Sequence, residues 1–418
     1  MVIRFKPVPT IWQVLGFYCF SIANILPCTE TLAQMPLALP EAIASALSNS
    51  RDVMRLDRDF ALRLAEAIEV ETRPNPEVEV LAKLSDKGDG AGIEIEVAQP
   101  LRFSDFRLRP LYAAALRQVA TVEQEAGLFD LVSHVTDLYL AHWASQSLEE
   151  LARQSANEAQ TITEQIEQIR REQAQPTIHF NLFAPEAMRL REESILYAAE
   201  RAGIEAQLAV VTGGNGQPII TSAGVPSPLP PQQSLITFAA QKDFGARLAR
   251  ARITVNEARL SVAEQDRIPM IIPRVNYDVE ANGEARNWGI GVAMEIPLWD
   301  TNEAEVVRAR AALKEARLHL SRLNGGSREA LVIGLYRQVK LLDARAEKYN
   351  RDIVPAYRES FASIKAIYDQ GQMGLLDVWQ VQASLLDAEK TAITTVIDAH
   401  KARVALERAI GGKIEQVD

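Results

Sequence analysis

The sequence feature that most constrains the fold is a short segment that occurs twice in the chain. Residues 92–101 read GIEIEVAQPL, and residues 289–298, which begin 197 positions later, read GIGVAMEIPL. Pro76 and Pro273 have the same separation, and an alternation of apolar and polar residues follows each of them. Because successive side chains of a β-strand point to opposite faces, this alternation is typical of strands with one apolar face. The chain is therefore predicted to carry the same β-hairpin twice.

Each predicted hairpin has one apolar and one polar face. Strands of about nine to twelve residues with this pattern suit a tilted transmembrane β-barrel, in which apolar side chains face lipid and polar side chains face the lumen. Tyr277, Trp288 and Trp299 lie at or near strand ends, where aromatic residues are expected at membrane interfaces. Two ordinary surface hairpins packed on helices are the alternative. In the barrel interpretation the lumen-facing residues of the first hairpin are Glu77, Glu79, Glu94 and Glu96.

Long helices are predicted after each hairpin. Residues 104–171 and 301–368 are rich in Ala, Leu, Glu, Arg and Gln. About 68 residues of continuous helix would reach roughly 100 Å. Within 305–323 apolar residues recur every three or four positions, which indicates coiled-coil packing.

Glycine and proline mark the expected ends of these helices. Gly325-Gly326 and Pro355 should interrupt the second run, because neither residue type supports a continuous helix. Pro110 is early enough in the first run to mark a helix start.

The repeat predicts the domain organisation. Each half consists of a helix, a β-hairpin, a long helix and a returning helix that ends in Gly-Gly. The predicted boundaries are a signal peptide at 1–33, a first repeat at 34–214 with its hairpin at 76–103, a Pro/Gly-rich linker at 215–237, a second repeat at 238–412 with its hairpin at 273–299, and a C-terminal tail at 413–418.

The N-terminal residues have the pattern of a secretory signal peptide. Arg4 and Lys6 precede an apolar run, and the small residues Thr31 and Ala33 form a cleavage site. A membrane anchor is one alternative, and lipidation of Cys28 is another. Cys19 is the second cysteine of the chain and also lies in this leader, so the mature protein is expected to contain no disulfide.

Composition and motifs argue against several classes of function. The formal net charge is -10 and no basic stripe is present, so a nucleic-acid partner is not expected. No glycine-rich phosphate-binding loop occurs, so we predict neither an enzyme nor a bound cofactor. The histidines are too scattered for a metal site, and their positions are His134, His142, His179, His319 and His400.

The number of strands predicts an oligomer. Four strands per chain cannot close a barrel, and open strand edges are not stable in lipid. Three chains would supply twelve strands, whereas two chains would supply the minimal eight. The two hairpins of one chain would then be neighbouring parts of a shared barrel.

Four stretches of the mature chain resemble the TolC-type outer-membrane efflux proteins. Residues 37–50 resemble the opening helix of that family, and RPNPEVEV at 73–80 resembles its entry into the first strand. The exit of the second hairpin, at 291–316, is most similar to the CzcC-like (cobalt–zinc–cadmium resistance) branch. Residues 353–389 resemble the final helical hairpin of the family, including its proline and its tyrosine–glycine–aspartate spacing.

This resemblance implies a mainly α fold with a small β part. Long coiled-coil helices would form an α-barrel in the periplasm. Two β-hairpins per chain would contribute four strands to a trimeric, twelve-stranded β-barrel in the outer membrane.

The resemblance also implies a gate at the periplasmic end. The family narrows this end with rings of aspartate and holds it with a tyrosine- and arginine-based latch. Asp377 matches the first aspartate, but Gln380 occupies the position of the second. Tyr368 matches the latch tyrosine, Gly371 the hairpin glycine, and Met373 stands where the latch arginine is expected.

The implied function is that of an exit duct. A homotrimer in the cell outer membrane would contact lipid and a periplasmic adaptor (membrane fusion) protein. It would conduct substrates passively from an inner-membrane pump of the RND or ABC type. Heavy-metal cations and small toxic compounds are the expected cargo. The alternatives are a type I secretion duct and a non-conducting periplasmic coiled-coil adaptor or scaffold.

Overall fold

A computed structural model of the chain describes residues 38–84, 91–173, 178–214, 228–280, 286–324 and 326–417. The predicted signal peptide, both cysteines and the turn signal at 86–90 lie outside the described residues. The same is true of most of the turn at 283–286 and of the predicted linker up to residue 227.

The described residues form ten α-helices and four β-strands in the order that the repeat predicts. The fold class, mainly α with a small β part, is thereby confirmed. The elements are α1 (Leu39–Asn49), α2 (Arg51–Glu71), β1 (Glu77–Leu84), β2 (Ala91–Ala98), α3 (Leu108–Gln173), α4 (Ile178–Thr212), α5 (Gln232–Lys242), α6 (Phe244–Gln265), β3 (Ile271–Val279), β4 (Arg286–Met294), α7 (Glu303–Asn324), α8 (Ser327–Lys348), α9 (Val354–Asp369) and α10 (Leu375–Ile410).

The strands form one antiparallel sheet in the order β1-β2-β3-β4. Its central pairing, between β2 and β3, joins the two hairpins, with Ile95 opposite Tyr277. The strands have eight or nine residues, at or below the predicted length. Pro100 and Pro297 follow β2 and β4 closely, and proline cannot donate a hydrogen bond to a strand ladder.

The long helix of the first repeat is continuous, whereas that of the second is interrupted where glycine and proline occur. Helix α3 runs for 66 residues, and Pro110 is its third residue. In the second repeat α7 ends at Asn324, and Gly326 adopts a left-handed φ of 78° before α8. A π-helical turn at Tyr349–Ile353 then precedes Pro355 in the first turn of α9. The predicted interruptions and helix start are confirmed.

Each repeat has its own hydrophobic core. It lies between the short first helix of the repeat and two of the helices that follow the hairpin. In the first repeat Ala46 of α1 packs with Val135 of α3 and Leu208 of α4. In the second repeat α5, α8 and α10 meet in the same way, through residues that include Leu235, Ala239, Val332 and Leu406.

Two segments outside the predicted repeats contribute residues to the second core. Helix α5 begins at Gln232, inside the predicted linker 215–237, because Leu235 is fully buried and anchors this turn in the second core. The predicted tail 413–418 contains a 3₁₀ turn at Ile414–Gln416, and Ile414 also packs in that core.

Gly411 ends α10 with a left-handed φ of 76°, and a Cβ there would lie 2.4 Å from the carbonyl oxygen of Lys242. No other residue type could end the helix here without a shift of the backbone. Among the described helices, none combines the length and the apolar character needed to cross a membrane.

Candidate functional site

The four-stranded sheet has one apolar face that none of the described residues covers. Cross-strand pairing places Val80 beside Ile95, Ile95 beside Tyr277, and Tyr277 beside Trp288, so one row crosses all four strands. Ile290 is 89% exposed and Trp288 is 74% exposed. An exposed apolar patch of this extent marks an interaction surface. We call it the apolar face, and its exposed members are Val78, Val80, Ile93, Ile95, Val97, Val275, Trp288, Ile290, Val292 and Met294.

The opposite face of the sheet is polar and carries a network of ion pairs. Lys83 on β1 places its Nζ 2.7 Å from a carboxylate oxygen of Glu94 on β2 and 3.1 Å from one of Asp278 on β3. Arg274 on β3 places Nη1 2.9 Å from Glu96 on β2. These pairs connect three strands on one side of the sheet, and the polar face keeps an excess of negative charge because its two cations meet three carboxylates.

The four glutamates predicted to line a lumen fall into two groups. Glu94 and Glu96 are half-buried and paired with cations of neighbouring strands. Glu79 lies opposite Glu96 in the β1–β2 register, and Glu77 is two residues before it. Both are exposed, and in the part of the chain that the structure describes neither forms a salt bridge.

The partners of these glutamates are not predicted from the sequence. Lys83, Arg274 and Asp278 lie at polar positions of the same alternation, which was the available signal. The pairing of Lys83 with Asp278 depends on the β2–β3 register, because the two residues are 195 positions apart.

The turn between α9 and α10 brings the predicted gate residues together. Gly371 has a left-handed φ of 72°, and its N–H donates to the carbonyl oxygen of Tyr368 at 2.7 Å. Gly374 caps α10, and the N–H of Asp377 donates to its carbonyl oxygen at 3.2 Å. Asp377 therefore lies in the first turn of α10, with Gln380 about one helical turn further on.

The exposure of these residues differs around the turn. Gly371, Asp377 and Gln380 are exposed, whereas Tyr368 and Met373 are half-buried. Helix α10 thus presents one carboxylate and one amide to solvent next to the turn.

Beyond the turn, α10 is held against α3 and α4 by residues that were not predicted as site residues. Trp379 packs on a small cluster formed by Ala156, Ala159 and Leu190. Gln382 is 9% exposed and donates a hydrogen bond to Glu158 of α3. Their contacts lie between elements distant in sequence, so no local pattern indicated them.

A half-buried ion pair continues this contact. Lys390 of α10 places Nζ 2.5 Å from Glu193 of α4. Burial alone would raise the pKa of Glu193, but the hydrogen bond and charge of Lys390 outweigh burial and keep that pKa below its ordinary value. The Glu193 carboxylate is therefore ionised at neutral pH.

A second polar pair lies between α3 and α4. His142 is completely buried, and its Nε2 lies 3.0 Å from Glu205. Arg201 reaches the same carboxylate at 3.5 Å. Within the described residues, no group of three His, Cys, Asp or Glu side chains could hold a metal ion.

Comparison with known proteins gives a family match for the second repeat and a fold match for most of the chain. Residues 246–412 match the family described as "Outer membrane efflux protein". No curated protein matches the sequence.

Several solved structures share the fold. A membrane protein from Pseudomonas aeruginosa has a TM-score of 0.73 at 18% identity, with 90% of each chain covered. CusC, described in terms of folding and transmembrane channel formation, has a TM-score of 0.72 at 16% identity, covering 90% of this chain and 93% of its own. The outer membrane protein VceC from Vibrio cholerae has a TM-score of 0.71 at 16% identity, with 90% and 96% covered.

Proposed function

We propose that this chain, whose second repeat matches the outer membrane efflux protein family, is the outer-membrane exit duct of a tripartite efflux system. Three copies form a twelve-stranded barrel in the outer membrane, and their helices form a tunnel in the periplasm. The duct conducts passively and catalyses no reaction. The observation that carries this proposal is the sheet, which has a continuous exposed apolar face on one side and a polar face with ion-paired carboxylates on the other.

The edges of the sheet support the oligomer. Strands β1 and β4 are the two edges, and the outer side of each has no partner strand among the described residues. An open edge in lipid would leave backbone N–H and C=O groups without hydrogen bonds, at several kcal/mol each. Pairing of β1 in one copy with β4 in the next removes every edge. The resemblance to trimeric ducts selects three copies.

The α9–α10 turn is proposed as the periplasmic gate. In a trimer the three Asp377 carboxylates lie near one axis and raise the local concentration of cations. Gln380 adds no charge to this neck. Met373 cannot replace the latch arginine of the resembled family. Contacts of Trp379, Gln382 and Lys390 with α3 and α4 hold the turn instead.

A periplasmic adaptor protein and an inner-membrane pump of the RND or ABC type are the proposed partners. The likeness of residues 291–316 to the CzcC-like branch supports heavy-metal cations as cargo, with small toxic compounds as the other class. Lys83 and Arg274 neutralise only part of the acidic strand face, so both Asp377 and the strand carboxylates are expected to favour cations.

The first experiment tests the location and the number of copies. We expect the protein to require detergent for extraction from outer membranes, and the extracted particle to have the mass of three chains. A scaffold would remain soluble without detergent, and a stable monomer would contradict edge pairing.

A second experiment tests the gate in planar bilayers. We expect Asp377→Asn to weaken block by trivalent cations and to lower cation selectivity. Gln380→Asp should strengthen both. Asp352→Asn, which removes an exposed carboxylate far from the turn, serves as the control. Unchanged block in Asp377→Asn would place the constriction elsewhere without affecting the duct proposal.

A further inference from the structure

Four connecting segments meet at one end of the sheet. Strands β1 and β3 begin there, whereas β2 and β4 end there. All four connections between a strand and a helix therefore lie at this end of the sheet. We call these segments together the sheet–helix junction, and they comprise residues 72–76, 99–107, 266–270 and 295–302.

The junction continues the apolar face with exposed aromatic side chains. Leu101 extends the β2–β3 ladder opposite Ile271, with backbone hydrogen bonds of 2.8 and 3.1 Å. Phe103 follows two residues later and is exposed, as is Phe106. In the second repeat Trp299 is 93% exposed. Exposed aromatic residues at the end of a lipid-facing surface are typical of the membrane–water interface.

The arginines of the junction divide into compensated and uncompensated ones. Nη2 of Arg102 lies 3.0 Å from Asp105, and Nη2 of Arg109, in the first turn of α3, lies 2.6 Å from Asp266 of the junction. Arg73 and Arg107 are exposed, and within the described residues neither forms a salt bridge. The junction of the first repeat therefore carries two free positive charges beside its aromatic residues.

The position of Arg73 is held by its surroundings. Arg102 donates to the carbonyl oxygen of Thr72 at 2.9 Å, and Gln99 donates to that of Pro74 at 3.0 Å. These bonds fasten the α2–β1 connection to the β2–α3 connection. The Arg73 guanidinium consequently stacks over the ring of Phe106, 5.4 Å from its centroid.

We propose that this part of the junction binds the phosphate headgroup of an anionic phospholipid. The acyl chains would lie on the apolar face, Phe103 and Phe106 would lie at headgroup depth, and Arg73 and Arg107 would pair with the phosphate. Charge complementarity and continuity with the apolar face identify the occupant. The inference rests on the proposed function, because it requires the sheet to lie in a bilayer. The junction of the second repeat carries exposed Glu295 and Asp300 beside exposed Arg267, so its acidic charge is in excess and it is not part of the site.

The test uses the full chain, reconstituted into phosphatidylcholine nanodiscs that contain a minor fraction of phosphatidylglycerol. Native mass spectrometry identifies the lipids that remain bound after return to detergent. We expect wild type to retain phosphatidylglycerol preferentially. Each arginine should contribute about fivefold to the preference, so Arg73→Gln/Arg107→Gln should lose roughly 25-fold. The matched control Arg191→Gln/Arg337→Gln removes two exposed helix arginines and should keep the preference.

Three results would overturn the inference: no preference in wild type, equal loss in the control, or a change in trimer mass without a change in lipid preference. The last result would mean that a second copy covers these arginines. If the double variant does not assemble, the wild-type protein is measured at low and at high salt. Its preference for phosphatidylglycerol must weaken at high salt, because salt screens the attraction between arginine and phosphate. A protein that stays soluble and retains no lipid would instead contradict the proposed duct.

Discussion

The two repeats place apolar side chains at equivalent core positions but different polar groups beside them. Val135 and Val332 are 197 positions apart, and both are buried. Two helical turns further along, His142 of the first repeat corresponds to Val339 of the second, and both are completely buried. Because the apolar positions match, each repeat can pack two long helices against its short first helix.

The polar partners change together with His142. Glu205, which bonds His142, corresponds to Arg403 in the second repeat, with a spacing of 198. Arg403 instead pairs with Asp343 at 2.5 Å. At this position of the core the first repeat therefore has a buried histidine that bonds a carboxylate. The second repeat has a buried valine, and its nearby polar groups form an ion pair. The two repeats therefore share the spacing of their buried apolar residues, whereas each repeat has its own polar contacts.

The largest effects are expected in the two cores. Leu208→Ala and Leu406→Ala remove equivalent, almost fully buried side chains, and each should cost about 2–5 kcal/mol because a cavity remains. Thermal unfolding of the detergent-solubilised protein, followed by circular dichroism, measures the loss. Leu341→Ala, at a position that is exposed in the single chain, is the control. If only one of the two variants lost stability, the two cores would not be equivalent.

The second prediction compares the two hairpins. Ile95→Arg and Val292→Arg alter equivalent positions of the apolar face, and each should impair membrane assembly, because a lipid-facing arginine costs about 2–4 kcal/mol near the bilayer centre. Glu79→Arg is the control, since it lies on the polar face opposite Glu96. The amount of trimer in the membrane fraction is measured. Normal assembly of either apolar-face variant would show that its hairpin does not face lipid.

The third prediction compares the Arg403–Asp343 ion pair of the second repeat with the His142–Glu205 pair of the first. Arg403→Met leaves the partly buried Asp343 without its cation and should cost about 1–3 kcal/mol. His142→Val introduces the residue of the second repeat and should cost less, because Glu205 retains Arg201. Thermal unfolding measures both. Arg403→Met/Asp343→Leu should recover part of the loss, and a double variant worse than the sum of its single variants would contradict this account.

The smallest effect concerns a carboxylate that the second repeat lacks. Asp137 of α3 corresponds to Gly334, and burial raises the pKa of Asp137 despite the nearby charge of Arg408. Because the folded pKa exceeds the ordinary value, folding favours the protonated form. Stability therefore falls as pH rises from that value through the raised pKa, and the cost persists above it.

Asp137→Asn should consequently stabilise the protein at neutral pH, by less than about 1 kcal/mol. The gain should disappear below the ordinary pKa of 3.8. Thermal midpoints at several pH values measure it, with the exposed Asp130→Asn as control. A gain that is independent of pH would assign the effect to packing.

Much of this architecture follows from local patterns. Alternation alone assigns Ile95 and Glu94 to opposite faces of β2, because adjacent strand residues must point apart. Gly326 and Pro355 mark the interruptions of the second long helix, since their backbone preferences act within one turn. The 197-residue repeat predicts that these elements recur in the same order.

Other features depend on elements that meet only in the folded chain. Lys83 could pair with any nearby carboxylate, and the β2–β3 register brings Asp278 to it across 195 positions. Gln382 reaches Glu158 from 224 positions away. The start of α5 inside a Pro/Gly-rich stretch likewise depends on burial of Leu235 by α8 and α10. Periodicity states which face of an element is apolar, but only the packing of distant elements decides which charges and side chains come into contact.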